Sequence, residues 1–291
     1  MSCQFRTDLA IETAEIFQES NELQGVRIDK TIGKISGIEV TRVTVENEIG
    51  AQQLGKSIGE YITLDVPELD QSDLNYHREI SQEIIQQLRL LAQNFYDKNI
   101  LVAGLGNRKM APDALGPMVV DNLFVTRHMM DYYGKETSMT KGMGCVSALA
   151  PGVMAQTGIE TQEILKGAVK AIHPDLLIVI DALAARSVHR LNKTIQLTNT
   201  GIAPGAGVGN RRHGIDEQSM GVPVIAIGIP TVIDIASIVN DIFGDQTASV
   251  DVEMMNMFVT PKNIDEIVVQ MSYTISEALN RICHPMGISC I

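Results

Sequence analysis

Two aspartates, Asp113 and Asp181, are the residues of this chain best placed to do chemistry. Asp113 lies in the loop Gly104-Leu-Gly-Asn-Arg-Lys-Met-Ala-Pro-Asp113-Ala-Leu-Gly-Pro117, and Asp181 ends the apolar run Leu176-Leu-Ile-Val-Ile180. Each is expected directly after a buried strand. In an open α/β sheet, ligands gather at the carboxyl ends of parallel strands. Two carboxylates converging there can share a proton and activate a water. That chemistry builds a hydrolase without a serine, cysteine or metal nucleophile. Each aspartate also has a plainer reading. Asp113 could cap the helix that starts near Leu115, and Asp181 could hydrogen-bond the turn after its strand.

Other catalytic patterns are incomplete. Gly104-Leu-Gly106 follows a strand, but the third position of a dinucleotide fingerprint is Lys109, which argues against nucleotide binding. Its glycines are expected to serve a tight turn. Gly205-Ala-Gly-Val-Gly209 also lacks the full pattern; it reads as a flexible loop whose backbone N–H groups could meet an anion or oxyanion. Ser147 is flanked by Cys145 and Leu149 rather than by the glycines of a nucleophile elbow. The histidines, His77, His128, His173, His189, His213 and His284, form no spaced metal motif. His173 is expected only to close a helix. His189 and His213 fall in a long loop, with solvation the default reading. Asn199-Thr-Gly201 and Gln156-Thr-Gly158 resemble the D-T-G of pepsin-type proteases with the acid missing.

The elements that must position the aspartates follow from apolar spacing. Strands are expected at 37–45, 61–66, 99–103, 144–149, 176–180 and 224–229. Helices are expected at 10–23, with Thr7 or Asp8 as cap, and at 80–95, 119–130, 161–172 and 232–242. A last helix is expected from Thr260 as N-cap and Pro261 at its first position, burying Ile264, Ile267, Met271, Ile275, Leu279 and Ile282. The stretch 182–221 reads as one long irregular loop. Apolar strands alternating with helices predict a single α/β domain with a mixed, largely parallel sheet and helices on both faces.

Bulk composition narrows the class. The 291 residues suffice for a large core, and 45% hydrophobic content is that of a globular protein. A net charge of -12, from 35 acidic and 23 basic residues, argues against a phosphate-backbone partner, so no direct nucleic-acid binding is expected. Aromatics are 4% and Trp is absent, so stacking platforms are scarce. Cys3, Cys145, Cys283 and Cys290 make no C-x-x-C pair and read as free thiols in a reducing compartment. No secretory signal is visible, and no apolar run approaches the roughly 20 residues of a membrane span. A cytoplasmic protein with no membrane contact is expected.

Several strings resemble the spore germination protease family. They are Arg6-Thr-Asp-Leu-Ala10, Gly104-Leu-Gly-Asn107, Pro112-Asp-Ala-Leu-Gly-Pro117, Pro151-Gly-Val-Met-Ala-Gln-Thr-Gly-Ile-Glu160, Ile180-Asp-Ala-Leu-Ala-Ala-Arg186, Gln196-Leu-Thr-Asn-Thr-Gly-Ile-Ala-Pro-Gly-Ala-Gly-Val-Gly-Asn210 and Val259-Thr-Pro-Lys262. The resemblance spans nearly the whole chain. It implies an endopeptidase of the spore core that degrades small acid-soluble spore proteins early in germination, with two aspartates and no required metal or cofactor. The family's aspartates map onto Asp113 and Asp181. It further implies a homotetramer, and a zymogen that removes its own N-terminal segment. Here five residues, Met1 to Phe5, precede Arg6 and read as a short propeptide ahead of a domain at 6–291. Arg6-Thr-Asp-Leu-Ala-Ile-Glu12 resembles the acidic-apolar-Ala sites that the family cuts, so self-cleavage is expected near it. The implied fold is related to that of the hydrogenase-maturation endopeptidases, which use a His to help bind nickel in their substrate. Two alternatives follow: a metal-dependent maturation endopeptidase and a non-catalytic ligand-binding α/β protein. Asn107 or the glycine-loop amides are the candidate oxyanion donors.

Overall fold

The computed structural model describes residues 7–20, 23–33, 37–69, 73–205, 213–243 and 257–285. The short propeptide expected at 1–5, Cys3, Cys290 and residues 206–209 of the glycine loop lie outside the described residues.

Among the described residues, nine strands form one mixed sheet. They are β1 (Val26–Ile32), β2 (Glu39–Val45), β3 (Gly59–Asp65), β4 (Asn99–Gly104), β5 (Cys145–Leu149), β6 (Leu176–Ala185), β7 (Thr194–Thr198), β8 (Val224–Asp234) and β9 (Phe258–Val259). Their order is β1-β2-β3-β7-β8-β6-β4-β5, with β9 beside the end of β8. β8, β6, β4 and β5 pair in parallel. β1, β2, β3, β7 and β8 pair antiparallel. The parallel half carries the apolar, two-sided strands that the sequence predicts.

Helices cover both faces. α1 is Ala10–Ser20, α2 Glu48–Leu54, α3 Leu74–Leu91, α4 Leu115–Asp121 and α5 Arg127–Tyr133. α6 is Met154–Thr157, α7 Thr161–Ile172, α8 Glu217–Met220, α9 Ile235–Phe243 and α10 Ile264–Cys283. On one face, α3, α4 and α10 pack on Ile100, Val102, Ile178 and Ile180. On the other, α7 meets Leu101, Ala103, Leu177 and Val179, while α1 meets Val43, Val45 and Tyr61.

Several local expectations change. β1 was not anticipated because it is an edge strand, mostly exposed and studded with Arg27, Asp29 and Lys30, which blurs its alternation and guards the edge. β7 lies inside the stretch read as loop; it is short, yet buried throughout because β3 and β8 flank it. The helix expected at 119–130 is two helices. Asn280 accepts the Phe124 N–H at 2.8 Å and donates to Asn122 O at 3.0 Å, so tertiary bonds replace the helical ladder there. The helix expected at 232–242 starts only at Ile235, since β8 runs on to Asp234. The last helix starts at Ile264, and Thr260 donates instead to Thr231 O at 2.8 Å. Its N-cap Asn263 makes no side-chain cap bond. A missing cap costs about 1 kcal/mol, against about 1.5–3 kcal/mol for each buried large apolar side chain, and all six expected ones are buried. His173 closes α7 in the left-handed conformation, as expected.

His284 follows α10 and is buried. Its Nε2 faces the Phe124 carbonyl at 2.9 Å, which only accepts, so Nε2 carries the proton. Nδ1 then accepts the Gly144 N–H at 3.1 Å. Burial lowers its pKa from 6.5, opposed by the bond to Phe124. The neutral form is therefore the one that folds. This contribution is complete above the unfolded value and is lost as pH falls from there through the lower folded value. Urea midpoints should fall across that window, and His284→Gln, which keeps a donor and an acceptor, should flatten the fall. An unchanged slope would remove His284 as its source.

Candidate functional site

The Asp113 loop is shaped by close backbone approach. β4 ends at Gly104 opposite Ile180, and the Leu105 N–H still reaches Ile180 O at 2.8 Å. α4 begins directly on this crossing. A Cβ on Gly116 would stand 2.4 Å from Leu105 O and 2.6 Å from Ile180 O; one on Gly104 would stand 2.1 Å from Gly116 O. Only two glycines let helix and strands touch so closely. Gly106, at φ +110°, turns the chain.

Asn107 to Met110 then form a turn closed by Met110 N–H to Asn107 O at 2.9 Å, and a 3-10 turn, Ala111–Asp113, follows. Asp113 does not cap α4: the N-cap is Ala114, without a side-chain bond. Its carboxylate points back into the loop and accepts the Asn107 N–H at 2.8 Å. The Asn107 side-chain oxygen accepts from Lys109 N–H at 3.0 Å and from Gln156 Nε2 at 2.6 Å. Asn107 thus holds the loop and Asp113. Thr231 ties the turn to β8, donating to Pro112 O at 2.6 Å.

Asp181 does not end its strand. β6 continues to Ala185, and Asp181 lies inside it, opposite Gly228 of β8. The apolar run stops at Asp181, but the strand does not, because β8 supplies ladder partners as far as Ile233. The side chain is 6% exposed and accepts its neighbour Ala182 N–H at 3.0 Å. No turn follows for it to bind.

Asp113 and Asp181 line one cavity of about 290 Å³. Thr231, Gly205 and the exposed Met110 also line it. So does Asp8, expected as a helix cap and as part of the self-cleavage string 6–12. Thr7 Oγ1 takes the Leu9 N–H at 3.0 Å; the Asp8 carboxylate instead accepts the Ala184 N–H at 2.8 Å. Glu12 anchors the same segment. Its buried carboxylate accepts from Arg186 N–H at 2.8 Å, Ser187 N–H at 2.9 Å and the Thr7 hydroxyl. Burial raises its pKa, and these bonds oppose the rise. Thr231 carries no local motif; only its contacts mark it. His189 and His213 do not line the cavity. Among the described residues no three His, Cys, Asp or Glu side chains gather as a metal site, and no helix is long and apolar enough to cross a membrane. Two carboxylates in one partly apolar cavity can divide a base and an acid role between them.

The family model for germination proteases matches residues 6–245. The germination protease of Caldanaerobacter subterraneus subsp. tengcongensis is 41% identical, over 96% of this chain and 94% of the relative. That of Clostridium tetani is 40% identical, over 96% of this chain and 95% of the relative. Among solved structures, a NiFe hydrogenase maturation protease from Thermococcus kodakarensis KOD1 aligns with a TM-score of 0.34 and 18% identity, over 64% of this chain and 95% of that one.

Proposed function

The chain belongs to the germination protease family, a family of peptidases, and from that premise we propose that it is an endopeptidase cutting small acid-soluble spore proteins with Asp113 and Asp181. The observation that carries the mechanism is the shared cavity of these two aspartates. One carboxylate takes a proton from a water that attacks the peptide carbonyl. The other, protonated, gives its proton to the carbonyl oxygen; as the resulting diol collapses it takes a proton back, and the first carboxyl passes the proton gained from water to the leaving amine. The proton belongs to the pair rather than to either residue. The cavity's apolar walls, Leu105, Val153 and Leu183, strengthen these charge effects.

The reading extends to a homotetramer in the spore core, and to a zymogen that removes its own N-terminal segment. Asp8 supports the self-cleavage part, since this residue of the string 6–12 already borders the dyad.

The test is intact mass of a small acid-soluble spore protein after incubation with the enzyme in chelator. Discrete fragments from a few acidic-apolar sites are expected, with the enzyme's own mass falling by a segment ending near Asp8. Cleavage only after nickel or another metal is restored would favour the metal-dependent alternative. An uncut N-terminus in fully active enzyme would end the self-cleavage reading.

A further inference from the structure

A second cavity, of about 320 Å³, adjoins the first, and the two share Asp8 and Leu183 in their walls. Its floor is read from strand register. Gln196 of β7 stands opposite Gly228 of β8, which stands opposite Asp181 of β6. Side chains directly opposite one another share a face, so Gln196 and Asp181 look the same way, two strand spacings or about 10 Å apart. Gly228 between them has no side chain, and Leu183 leans over it, 2.6 Å from where a Cβ would stand.

Asp8 sits across this passage in the manner of a bound peptide. β4 ends opposite Ile180, so β6 runs beyond it from Asp181 to Ala185 with that edge open. Asp8 takes the edge: its N–H donates to Ala184 O at 3.0 Å and its carboxylate accepts the Ala184 N–H. Its carbonyl accepts from Lys56 Nζ at 2.8 Å and Gln196 Nε2 at 3.2 Å. The oxygen of the same Gln196 amide accepts the Ala10 N–H at 2.8 Å. One side chain thus reads a backbone carbonyl and the N–H two residues later where the chain bends into α1, and an extended peptide presents the same two groups on one side without regard to side-chain identity.

We propose that the second cavity continues the substrate channel, and that Gln196 and Lys56 are positioning residues that hold the backbone of an extended acidic peptide added to the Ala184 edge. The proposal rests on the endopeptidase reading above. Adding a strand to an open edge is a general mode of peptide recognition. In the present state residue 8 fills the position, and an incoming peptide must displace it.

The probe is a fluorescein-labelled Thr-Asp-Leu-Ala-Ile-Glu peptide, followed by anisotropy against full-length Asp113→Asn protein. Adding Asp8→Pro removes both bonds to Ala184, because proline has neither the N–H nor the carboxylate. Freeing the site should lower the Kd by about tenfold or more. Adding Gln196→Ala should then raise the Kd by about tenfold, with Lys56→Met acting in the same direction. Gln196→Glu, which keeps the acceptor and loses the donor, should fall between. If Asp8→Pro does not fold, Asp8→Ala should give a smaller gain of the same sign. A Kd indifferent to residue 8, a gain that survives Gln196→Ala, or no binding at all would each overturn the channel. Cleavage is read separately with Asp113 intact. A peptide bound but never cut refutes the endopeptidase and leaves the channel. A peptide cut with a KM indifferent to Gln196→Ala refutes the channel and leaves the endopeptidase.

Discussion

Asp113→Asn and Asp181→Asn should each lower kcat for spore-protein cleavage by at least about 10²–10⁴-fold, the usual worth of a positioned acid or base. The fold should survive both changes. An asparagine oxygen can still accept the Asn107 N–H at position 113 and the Ala182 N–H at position 181. What disappears is the ability to hold and pass a proton. The two residues act as a unit, so the double variant should be little worse than either single one. Single-turnover rates, with thermal midpoints and circular dichroism as controls for folding, would check this. Full activity in either single variant would remove that residue from the mechanism, and full activity in both would sink the dyad.

Gly106→Ala should be nearly as damaging although it deletes no chemistry. A Cβ there would stand 2.0 Å from the Asp113 carbonyl oxygen and 2.8 Å from its Oδ1. Backbone cannot yield as a flexible side chain does, so the 3-10 turn and its carboxylate must move. Displacing a reacting group by about 1 Å costs on the order of 10²-fold in rate. The φ of +110° adds strain, and a residue held in so unfavourable a conformation costs about 1–3 kcal/mol. The expected signature is a loss of kcat of about 10²-fold or more with a modestly lowered thermal midpoint. A variant with normal kcat would show that Asp113 is not held where the reaction needs it. Gly104 and Gly116 are less informative, because substitutions there meet the main sheet crossing and threaten folding itself.

The two aspartates proposed as catalytic stand out locally. Asp113 sits among Gly106, Pro112 and Gly116, residue types that force a turn and a close approach. Asp181 interrupts an apolar run where only a purposeful carboxylate is tolerated. α7 and the buried face of α10 were legible for a similar reason, since their apolar residues recur at helical spacing. β1 and β7 were less so. One is polar because it is an edge, and the other is short and takes its burial from its neighbours. Neither property is written in the strand's own residues.

The amino-acid sequence by itself determined which segments must be buried, where the chain must turn, and which side chains could carry a proton. The tertiary structure decided what meets what. β4 stops opposite Ile180, so β6 keeps an open edge beside Asp181. The glycines at 104 and 116 let α4 press Asp113 onto that same strand end. Asp8 comes to it from the N-terminus and Gln196 from two strands away. The physical reason is that spacing along the chain sets periodicity and local turns, whereas register between strands depends on hydrogen bonds and packing among segments far apart in sequence. No local pattern encodes those pairings, and the site exists only once they have formed.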